Sequence, residues 1–537
     1  MRGLLASSIG VTCAAALALP LTPPANAATA RPAPAAEAAP TGTIRAAGPD
    51  TPTAPRLPGR PDSSAVPDSA VPDSAVPDLP DLPGSTQSLP LTALTGSRTL
   101  GGAVAEQGLT RRDVRRFSLL GVVWDDPAAE LHGRVQVRTR PSGTGAWSGW
   151  QDVETHNADH GADPGTPESV SGRVRGATAP LWVGDSDGVE IRVHPDTELR
   201  TEETARGPRT SSTISPLPTG LRLELVDPGS APPEHAPAGP PHSRALTTGS
   251  RPADAPEAAG AAEAPADAEA ADGAEPVAMN AKPAAMTAEA TAASAANAQL
   301  APLGATEIPS LDRRGTEREL LALRGQELTA AQRVKPYIGP RPSIVTRRGW
   351  GADENLRERA FAYTTTVKAA FVHHTASGNS YKCSQAPSVI RGIYRYHVKS
   401  MGWRDIGYNF LVDKCGKIYE GRAGGVAKPV MGAHTLGFNT NSMGIAVLGT
   451  FTSAKPNTAT VNAIARLTAW KLGLFGANPK GTTYLKSGGG NLYGKGKNVR
   501  LNVISGHRDG FATECPGKQL YGKLGSARST AARYQGR

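Results

Sequence analysis

The sequence predicts an α/β domain at the C-terminus, a mixed β-sheet covered by helices, preceded by a small all-β sandwich-like domain and disordered linkers. Three observations support this division. The 537 residues include 47 prolines and 60 glycines, and only 39% are hydrophobic, so a sizeable part of the chain buries no core. Residues 96–230 alternate between apolar and polar side chains with the period of a β-strand. Strand and helix patterns then mix from residue 336 to residue 537.

Residues 1–27 have the composition of a secretory signal peptide. Arg2 supplies a positive charge, an apolar run extends to Leu21, and Ala25–Ala27 is a small-residue cleavage site. The alternative is a membrane anchor, but Pro20 and the prolines that follow it end the apolar run early. We therefore predict an exported, extracellular protein without stable membrane insertion.

Two segments are predicted to be disordered linkers. Residues 28–95 are rich in proline and alanine and repeat SAVPD three times between Ser64 and Asp78. A proline at every fifth position prevents helices and central strands, so we expect an extended stalk. Residues 231–335 form a second Ala/Pro-rich linker, in which 317–332 could be a short helix.

Residues 96–230 are predicted to form the all-β domain. Each predicted strand places apolar side chains at every second position, as on a sheet with one buried face. The alternating positions are Val135, Val137 and Thr139; Val189, Ile191 and Val193; and Leu221, Leu223 and Leu225. Turn residues separate the runs, among them 185–188. Trp147 and Trp150 are either an exposed carbohydrate-binding platform or, as we favour, packed on the sheet.

The charge is unevenly distributed along the chain. Residues 331–537 contain 31 Lys and Arg and 8 Asp and Glu, a net charge of +23, and the whole chain has +10, which leaves −13 for the remainder. A strongly basic domain indicates an anionic partner. Nucleic acid is not expected, because the chain begins with an export signal and lacks a nucleic-acid-binding motif.

Residues 336–537 combine short buried strands with amphipathic helices. An α/β sheet covered by helices is the architecture that such a mixture favours. We predict strands at 368–374, 443–448 and 503–505, a hairpin at 409–420, and helices over 387–400 and 461–472.

A candidate metal site lies near the end of the chain. His507 and Cys515 flank a glycine-containing loop, and imidazole nitrogens and a thiolate are good zinc ligands. A catalytic zinc site usually has a third protein ligand, which His373 or His374 could supply, but alternation along a strand lets only one of them face the metal. Pro516 favours a helix that starts at Cys515, where the helix dipole would stabilise a thiolate.

Six motifs follow one another in this domain: RRGWGA (347–352), FVHHTAS (371–377), GWRDIGYNFLVD (402–413), YEGR (419–422), GAHTLGFNTNSMGIAVLGTF (432–451) and GHRDGFATECPG (506–517). Together they resemble the peptidoglycan recognition protein family, which is similar to the zinc amidases of the phage T7 lysozyme type. The resemblance covers roughly residues 340–535, about two fifths of the chain, and says nothing about residues 28–330.

This resemblance implies an N-acetylmuramoyl-L-alanine amidase, which cleaves the amide between the muramic acid lactyl group and the first L-alanine of the stem peptide. The zinc (Zn²⁺) ligands of the family fall on His373, His507 and Cys515. Tyr408 would stabilise the oxyanion of the tetrahedral intermediate, with Thr513 in a supporting role. The alternative is a non-catalytic recognition protein, in which serine often replaces the cysteine. Because Cys515 is present, we favour a secreted zinc-dependent hydrolase.

The remaining predictions concern substrate contacts, cysteines and partners. His397, His434 and Asn439 are candidate substrate-binding residues, although a structural role is the more common one for His397. Export makes a disulfide between Cys383 and Cys415 plausible. The expected partners are bacterial peptidoglycan and anionic wall polymers, at the cell wall. The sequence leaves open the stem-peptide type, the oligomeric state and whose wall is the target.

Overall fold

The computed structural model describes residues 84–94, 106–204, 207–230 and 286–537. The predicted signal peptide, most of the predicted stalk and residues 231–285 of the second linker lie outside these ranges. In the described part of the chain, no helix combines the length and apolar character that crossing a membrane requires.

Residues 84–230, which we call the β-domain, are built from β-strands wherever the structure describes regular elements. The strands are β1 (Thr86–Pro90), β2 (Thr92–Ala93), β3 (Gln107–Trp124), β4 (Gly133–Pro141), β5 (Gln151–Val153), β6 (Gly176–Ala177), β7 (Leu181–Pro195), β8 (Thr197–Thr204), β9 (Gly207–Ile214) and β10 (Arg222–Val226). Eight of them form one antiparallel sheet, in the order β1-β10-β3-β7-β4-β5 with β2 and β6 paired to β3, and β8 and β9 form a separate hairpin.

The alternating pattern in the sequence corresponds to the buried face of this sheet. Val135 and Val137 on β4 lie opposite Val193 and Ile191 on β7, and all four side chains are buried. They belong to one apolar core that also contains Leu223. The predicted all-β character of this region is therefore confirmed.

Two local expectations for the β-domain are wrong. The first strand begins at Thr86, before the expected boundary at residue 96. Residues 185–188 lie within β7 and form no separating turn. Their acidic side chains are held by arginines of neighbouring strands, Asp185 by Arg116 and Asp187 by Arg140, which keeps the segment in the sheet.

Trp147 and Trp150 pack on arginine side chains that project from the sheet. The guanidinium groups of Arg138 and Arg192 lie 4.9 Å and 4.1 Å from the centre of the Trp150 ring, and Arg111 lies 5.2 Å from that of Trp147. Cation–π contacts of this kind hold the rings against the domain, as the packing alternative expected.

Residues 286–537, which we call the C-terminal domain, form a mixed sheet with helices on its faces. Its strands are β11 (Glu307–Ile308), β12 (Ile344–Val345), β13 (Ala369–His374), β14 (Phe410–Val412), β15 (Ile418–Glu420), β16 (Ser442–Val447), β17 (Thr482–Lys486), β18 (Asn498–Asn502) and β19 (Ile504–Gly506). Its helices are α1 (Ala288–Ala295), α2 (Arg313–Arg324), α3 (Ala330–Val334), α4 (Arg347–Trp350), α5 (Ala386–Arg395), α6 (Thr458–Leu474), α7 (Lys518–Tyr521) and α8 (Leu524–Gln535).

The main sheet has the order β11-β12-β15-β14-β16-β13-β19, with β17 and β18 as a separate hairpin. β13 runs parallel to both of its neighbours, whereas β14 and β15 are antiparallel. All six residues of β13 are buried, as expected for a central strand that is covered on both faces. The predicted α/β class is confirmed.

The predicted second linker is wrong for its last fifty residues. Residues 286–335 contain α1, β11, α2 and α3, and Leu300, Ile308 and Leu320 pack into the core of the C-terminal domain. Helix α2 begins where the Asp312 side chain accepts a hydrogen bond from the Gly315 N–H, a common way to start a helix. Because apolar residues are sparse in this alanine-rich segment, the sequence did not indicate that the segment packs on the C-terminal core.

The two domains share an apolar interface. Leu119, Trp182 and Val226 of the β-domain belong to the same buried cluster as Ile393 and Tyr396, on α5 and the π-helical turn that follows it. The Tyr396 hydroxyl donates a hydrogen bond to the carbonyl oxygen of Thr178 (3.1 Å). This interface brings one loop of the β-domain, residues 154–175 between β5 and β6, to the end of β13.

Candidate active site

The candidate site lies where β13 ends, between β16 and the edge strand β19 of the C-terminal sheet. His373 and His374 are the last two residues of the strand, and their side chains point in opposite directions. His373 faces Cys515, with 3.8 Å between Nδ1 and the sulfur. His374 faces away, and its Nδ1 accepts a hydrogen bond from the Phe451 N–H (3.2 Å). Strand alternation thus leaves His373 as the histidine of the pair that joins the cluster.

A short loop after β19 brings His507 and Cys515 together. His507 begins a 3₁₀ turn, and its carbonyl oxygen accepts hydrogen bonds from the N–H groups of Gly510 (2.9 Å) and Phe511 (3.2 Å). The Arg508 N–H then donates to the Cys515 carbonyl oxygen (3.0 Å), which closes the loop. Both side chains therefore face the same buried point.

Four side chains offer ligand atoms at this point. They belong to His373, His507 and Cys515, which the sequence predicted, and to His160 of the β-domain, which it did not; all four atoms lie within 4.8 Å of one another. His160 Nε2 and His507 Nδ1 are buried, and neither has a hydrogen-bond partner among the residues that the structure describes. Unpartnered nitrogens beside a thiol are a donor set that suits zinc.

The protonation of these groups is compatible with a metal site. Burial lowers the pKa of His373 well below its usual range and that of His507 to about 3, so both imidazoles are neutral. Burial also raises the pKa of the Cys515 thiol well above its usual range. A nearby divalent cation favours the thiolate, and neutral imidazole is the form that binds metal.

His434 orients the His373 ring. Its Nδ1 lies 3.3 Å from His373 Nε2, and the Thr435 hydroxyl is 3.4 Å from the same atom. A hydrogen on His373 Nε2 satisfies these contacts and leaves the lone pair of His373 Nδ1 free to face Cys515. Partners of this kind determine the tautomer of a metal-binding histidine.

Tyr408 and Thr513 line a cavity of about 530 Å³ beside the cluster. The Tyr408 ring centre lies 5.6 Å from that of His373, and burial raises the pKa of the phenol well above 10, so the hydroxyl keeps its proton. The Thr513 hydroxyl accepts a hydrogen bond from the Cys515 N–H (3.2 Å). The cavity walls also include Trp124, His160, His374, Leu492, Phe511 and Glu514.

The three predicted substrate contacts lie in the protein interior. His397 accepts a hydrogen bond from the Gly407 N–H (3.2 Å), and Asn439 accepts one from the His434 N–H (2.7 Å). His397, His434 and Asn439 are all less than 5% exposed. In this structure they support neighbouring segments, and direct contact with a substrate stays a prediction.

The cysteines lie as follows. Cys383 and Cys415 form a disulfide, which ties the turn before α5 to the β14–β15 hairpin. Cys515 is not at a helix start, because α7 begins at Lys518 with Gly517 as its N-cap and is only four residues long. The expectation that a helix dipole stabilises a Cys515 thiolate is therefore wrong. Burial instead favours the protonated thiol.

Three side chains of the β-domain loop lie near the site and were not predicted from the sequence. His160, Asp159 and Glu168 all belong to residues 154–175, and each contacts the C-terminal domain. The stretch His156–His160 contains two histidines and an aspartate, which is an unusual density, but nothing in the sequence relates it to residues more than two hundred positions later.

Comparisons with known proteins agree with this architecture. The family model for N-acetylmuramoyl-L-alanine amidase matches residues 363–518, and the model described as Rv3811 N-terminal galactose-binding domain-like matches residues 73–215. The cluster of His373, His507 and Cys515, beside the end of the parallel strand β13, thus belongs to a domain of the amidase class.

Sequence relatives identify the family. Peptidoglycan-recognition protein SC2 of Drosophila simulans is 32% identical over 182 residues, which cover 34% of this chain and 84% of the relative. The human N-acetylmuramoyl-L-alanine amidase is 30% identical over 188 residues, 34% of this chain and 28% of that protein. The solved structure of Drosophila PGRP-LB has 25% identity and a TM-score of 0.27, and the match covers 34% of this chain and 92% of that one. The chain belongs to the peptidoglycan-recognition protein and N-acetylmuramoyl-L-alanine amidase family.

Proposed function

We propose that this protein is an exported, zinc-dependent N-acetylmuramoyl-L-alanine amidase that acts on bacterial peptidoglycan. The observation that carries the proposal is Cys515, whose sulfur lies 3.8 Å from His373 Nδ1 and within 4.8 Å of the His507 ligand atom. A thiolate and two imidazoles are the three protein ligands of a catalytic zinc site. The substrate class follows from relatives that are named for peptidoglycan recognition.

Each side chain of the site has a role in this chemistry. His373, His507 and Cys515 would hold zinc, which when bound supplies Lewis acidity and an activated water. His434 keeps the His373 ring in the metal-binding tautomer. The Tyr408 phenol, protonated because it is buried, would donate a hydrogen bond to the substrate carbonyl oxygen as negative charge develops there. The Thr513 hydroxyl, on the loop that carries Cys515, would interact with the same oxygen.

Export and wall binding complete the proposal. Arg2, the apolar run to Leu21 and the Ala25–Ala27 site favour a cleaved signal peptide. The net charge of +23 on residues 331–537 suits association with anionic wall polymers. The disulfide between Cys383 and Cys415 is typical of a protein that folds outside the cytoplasm.

The second candidate function is recognition of peptidoglycan without cleavage. Several relatives are named as recognition proteins, and a protein of that kind needs no metal ligand set. Cys515 favours the hydrolase, because a buried thiol beside two unprotonated imidazoles has no evident purpose in a binding groove.

The test uses purified protein and muropeptides, with and without a chelator. The amidase should release stem peptides with a free N-terminal L-alanine, and chelation should stop the release. Cys515→Ser should lose turnover and zinc but retain wall binding. Tyr408→Phe should lose on the order of 100-fold in rate, whereas Tyr484→Phe, at an exposed position of β17, should match the wild type. If the zinc-loaded wild type and the zinc-loaded His160→Ala variant both bind the wall but release no stem peptide, the recognition alternative is favoured.

A further inference from the structure

The loop of residues 154–175 in the β-domain covers the candidate active site. Buried contacts hold it there. The Asp163 carboxylate accepts hydrogen bonds from the Gly437 N–H (2.9 Å) and the Asn439 side-chain amide (2.7 Å). Glu168 binds both terminal nitrogens of Arg422, each at 2.9 Å. These contacts hold the part of the loop that directly follows His160.

His160 lies three residues before Asp163 and points into the cluster. Its side chain is 7% exposed, and within the described part of the chain its Nε2 has no hydrogen-bond partner. The ring centre lies 4.6 Å from that of His507 and 5.2 Å from that of His373. A buried imidazole nitrogen without a partner is costly unless something binds it.

Asp159 orients this ring and its neighbour. The His160 Nδ1–H donates to the Asp159 carboxylate (3.0 Å), which leaves the lone pair on Nε2. The Asp159 carbonyl oxygen lies 3.2 Å from His507 Nε2, and a proton on Nε2 places the His507 lone pair on Nδ1, which is 3.5 Å from the Asp159 carboxylate. A histidine that donates one nitrogen to a carboxylate or carbonyl and presents the other is the usual arrangement of a metal ligand.

We propose that His160 is a fourth protein ligand of the metal, and that the β-domain thereby closes the active site. A zinc site with four protein ligands is closed, whereas a catalytic site keeps one position for water. His160 also occupies space that a substrate would need, since its ring centre is 5.9 Å from that of Tyr408. The closed state is an inactive form, and release of the loop opens the position that catalysis requires. The inactivation, but not the metal ligation, rests on the proposed function.

The metal environment can be tested without any assay of activity. Cobalt(II) replaces zinc in the full-length wild type, in His160→Ala and in His194→Ala, a matched histidine of the β-domain that lies outside the cavity and pairs with Glu106. Azide is then added as a small ligand. The visible spectra of the wild type and His194→Ala should not respond, because no position is open, whereas the spectrum of His160→Ala should change. Equal responses of all three proteins would overturn the proposal.

Zinc retention and cleavage should change in opposite directions. His160→Ala should transfer zinc to a chelator on the order of tenfold faster or more, yet release stem peptides from muropeptides at least about tenfold faster than the wild type. Slower zinc loss, or faster zinc loss with slower cleavage, would contradict the closed state. Asp163→Ala removes contacts that hold the loop but keeps His160, and it should also accelerate cleavage. This second variant keeps the proposal testable if His160→Ala misfolds.

The two proposals fail differently. If none of the zinc-loaded proteins cleaves muropeptides but azide still distinguishes His160→Ala from the wild type, His160 is a ligand and the amidase assignment is wrong. If the wild type cleaves as fast as both loop variants and azide does not distinguish them, the amidase assignment stands and the fourth ligand is wrong.

Discussion

Glu168 in the β-domain and Arg422 in the C-terminal domain form a buried ion pair, in which each carboxylate oxygen lies 2.9 Å from one terminal nitrogen of the guanidinium group. Arg422 belongs to the YEGR motif. Its partner Glu168 lies outside the six motifs that carry the family resemblance. Charges taken out of water in this way require each other, because removal of one leaves the other uncompensated.

Glu168→Ala should therefore detach the loop. While the loop stays docked, an unpaired Arg422 costs about 3–5 kcal/mol, and undocking lets water reach the guanidinium group. We expect a lower free energy of unfolding and faster tryptic cleavage at Arg173, which lies in the same loop. Asp152→Ala is the matched control, because it removes an exposed ion pair with Arg134 and should cost less than about 1 kcal/mol. Equal effects of the two substitutions would contradict the role of Glu168.

His434 should matter for zinc affinity although it lies outside the ligand set. Its Nδ1 is 3.3 Å from His373 Nε2, and its side chain is fully buried. His434→Phe removes the acceptor that determines the His373 tautomer, so we expect zinc affinity to fall by about 10–100-fold, measured by competition with a chelator. His397→Phe, a buried histidine without contact to a ligand, should retain the wild-type affinity. An unchanged affinity in His434→Phe would show that the ring needs no such partner.

The candidate residues that the sequence offered and that the structure brings together all lie within the C-terminal domain. His373, Tyr408, His507 and Cys515 come from local motifs. Strand alternation lets only one of His373 and His374 face a metal, and the family resemblance selected His373. His160 could not be predicted, because its approach depends on an interface between two domains rather than on any local pattern. The same reason explains why residues 286–335 were predicted to be a linker. Leu320 is buried by packing into the core of the C-terminal domain, which no local pattern indicates.

The disulfide should stabilise the C-terminal domain without contributing to the zinc site. It closes a loop of 32 residues, for which the loss of chain entropy in the unfolded state corresponds to about 3–4 kcal/mol. We expect the double variant Cys383→Ser, Cys415→Ser to unfold roughly 10 °C lower while it binds one zinc per chain like the wild type. Loss of zinc from the folded variant would indicate that the bond also positions the ligands.

The buried side chain of Lys471 should make the stability of the protein depend on pH. Its ammonium group is buried on α6, where it donates to the carbonyl oxygen of Lys428 (2.7 Å), and burial lowers its pKa well below 10.5. Between that lowered pKa and 10.5 the unfolded chain binds more protons than the folded one, so the contribution of Lys471 to stability rises with pH. The difference in unfolding free energy between the wild type and Lys471→Met should therefore shift in favour of the wild type from pH 7 to pH 10, as measured by chemical denaturation. A constant difference for Lys471→Met would mean that its carbonyl partners keep the ammonium charged throughout.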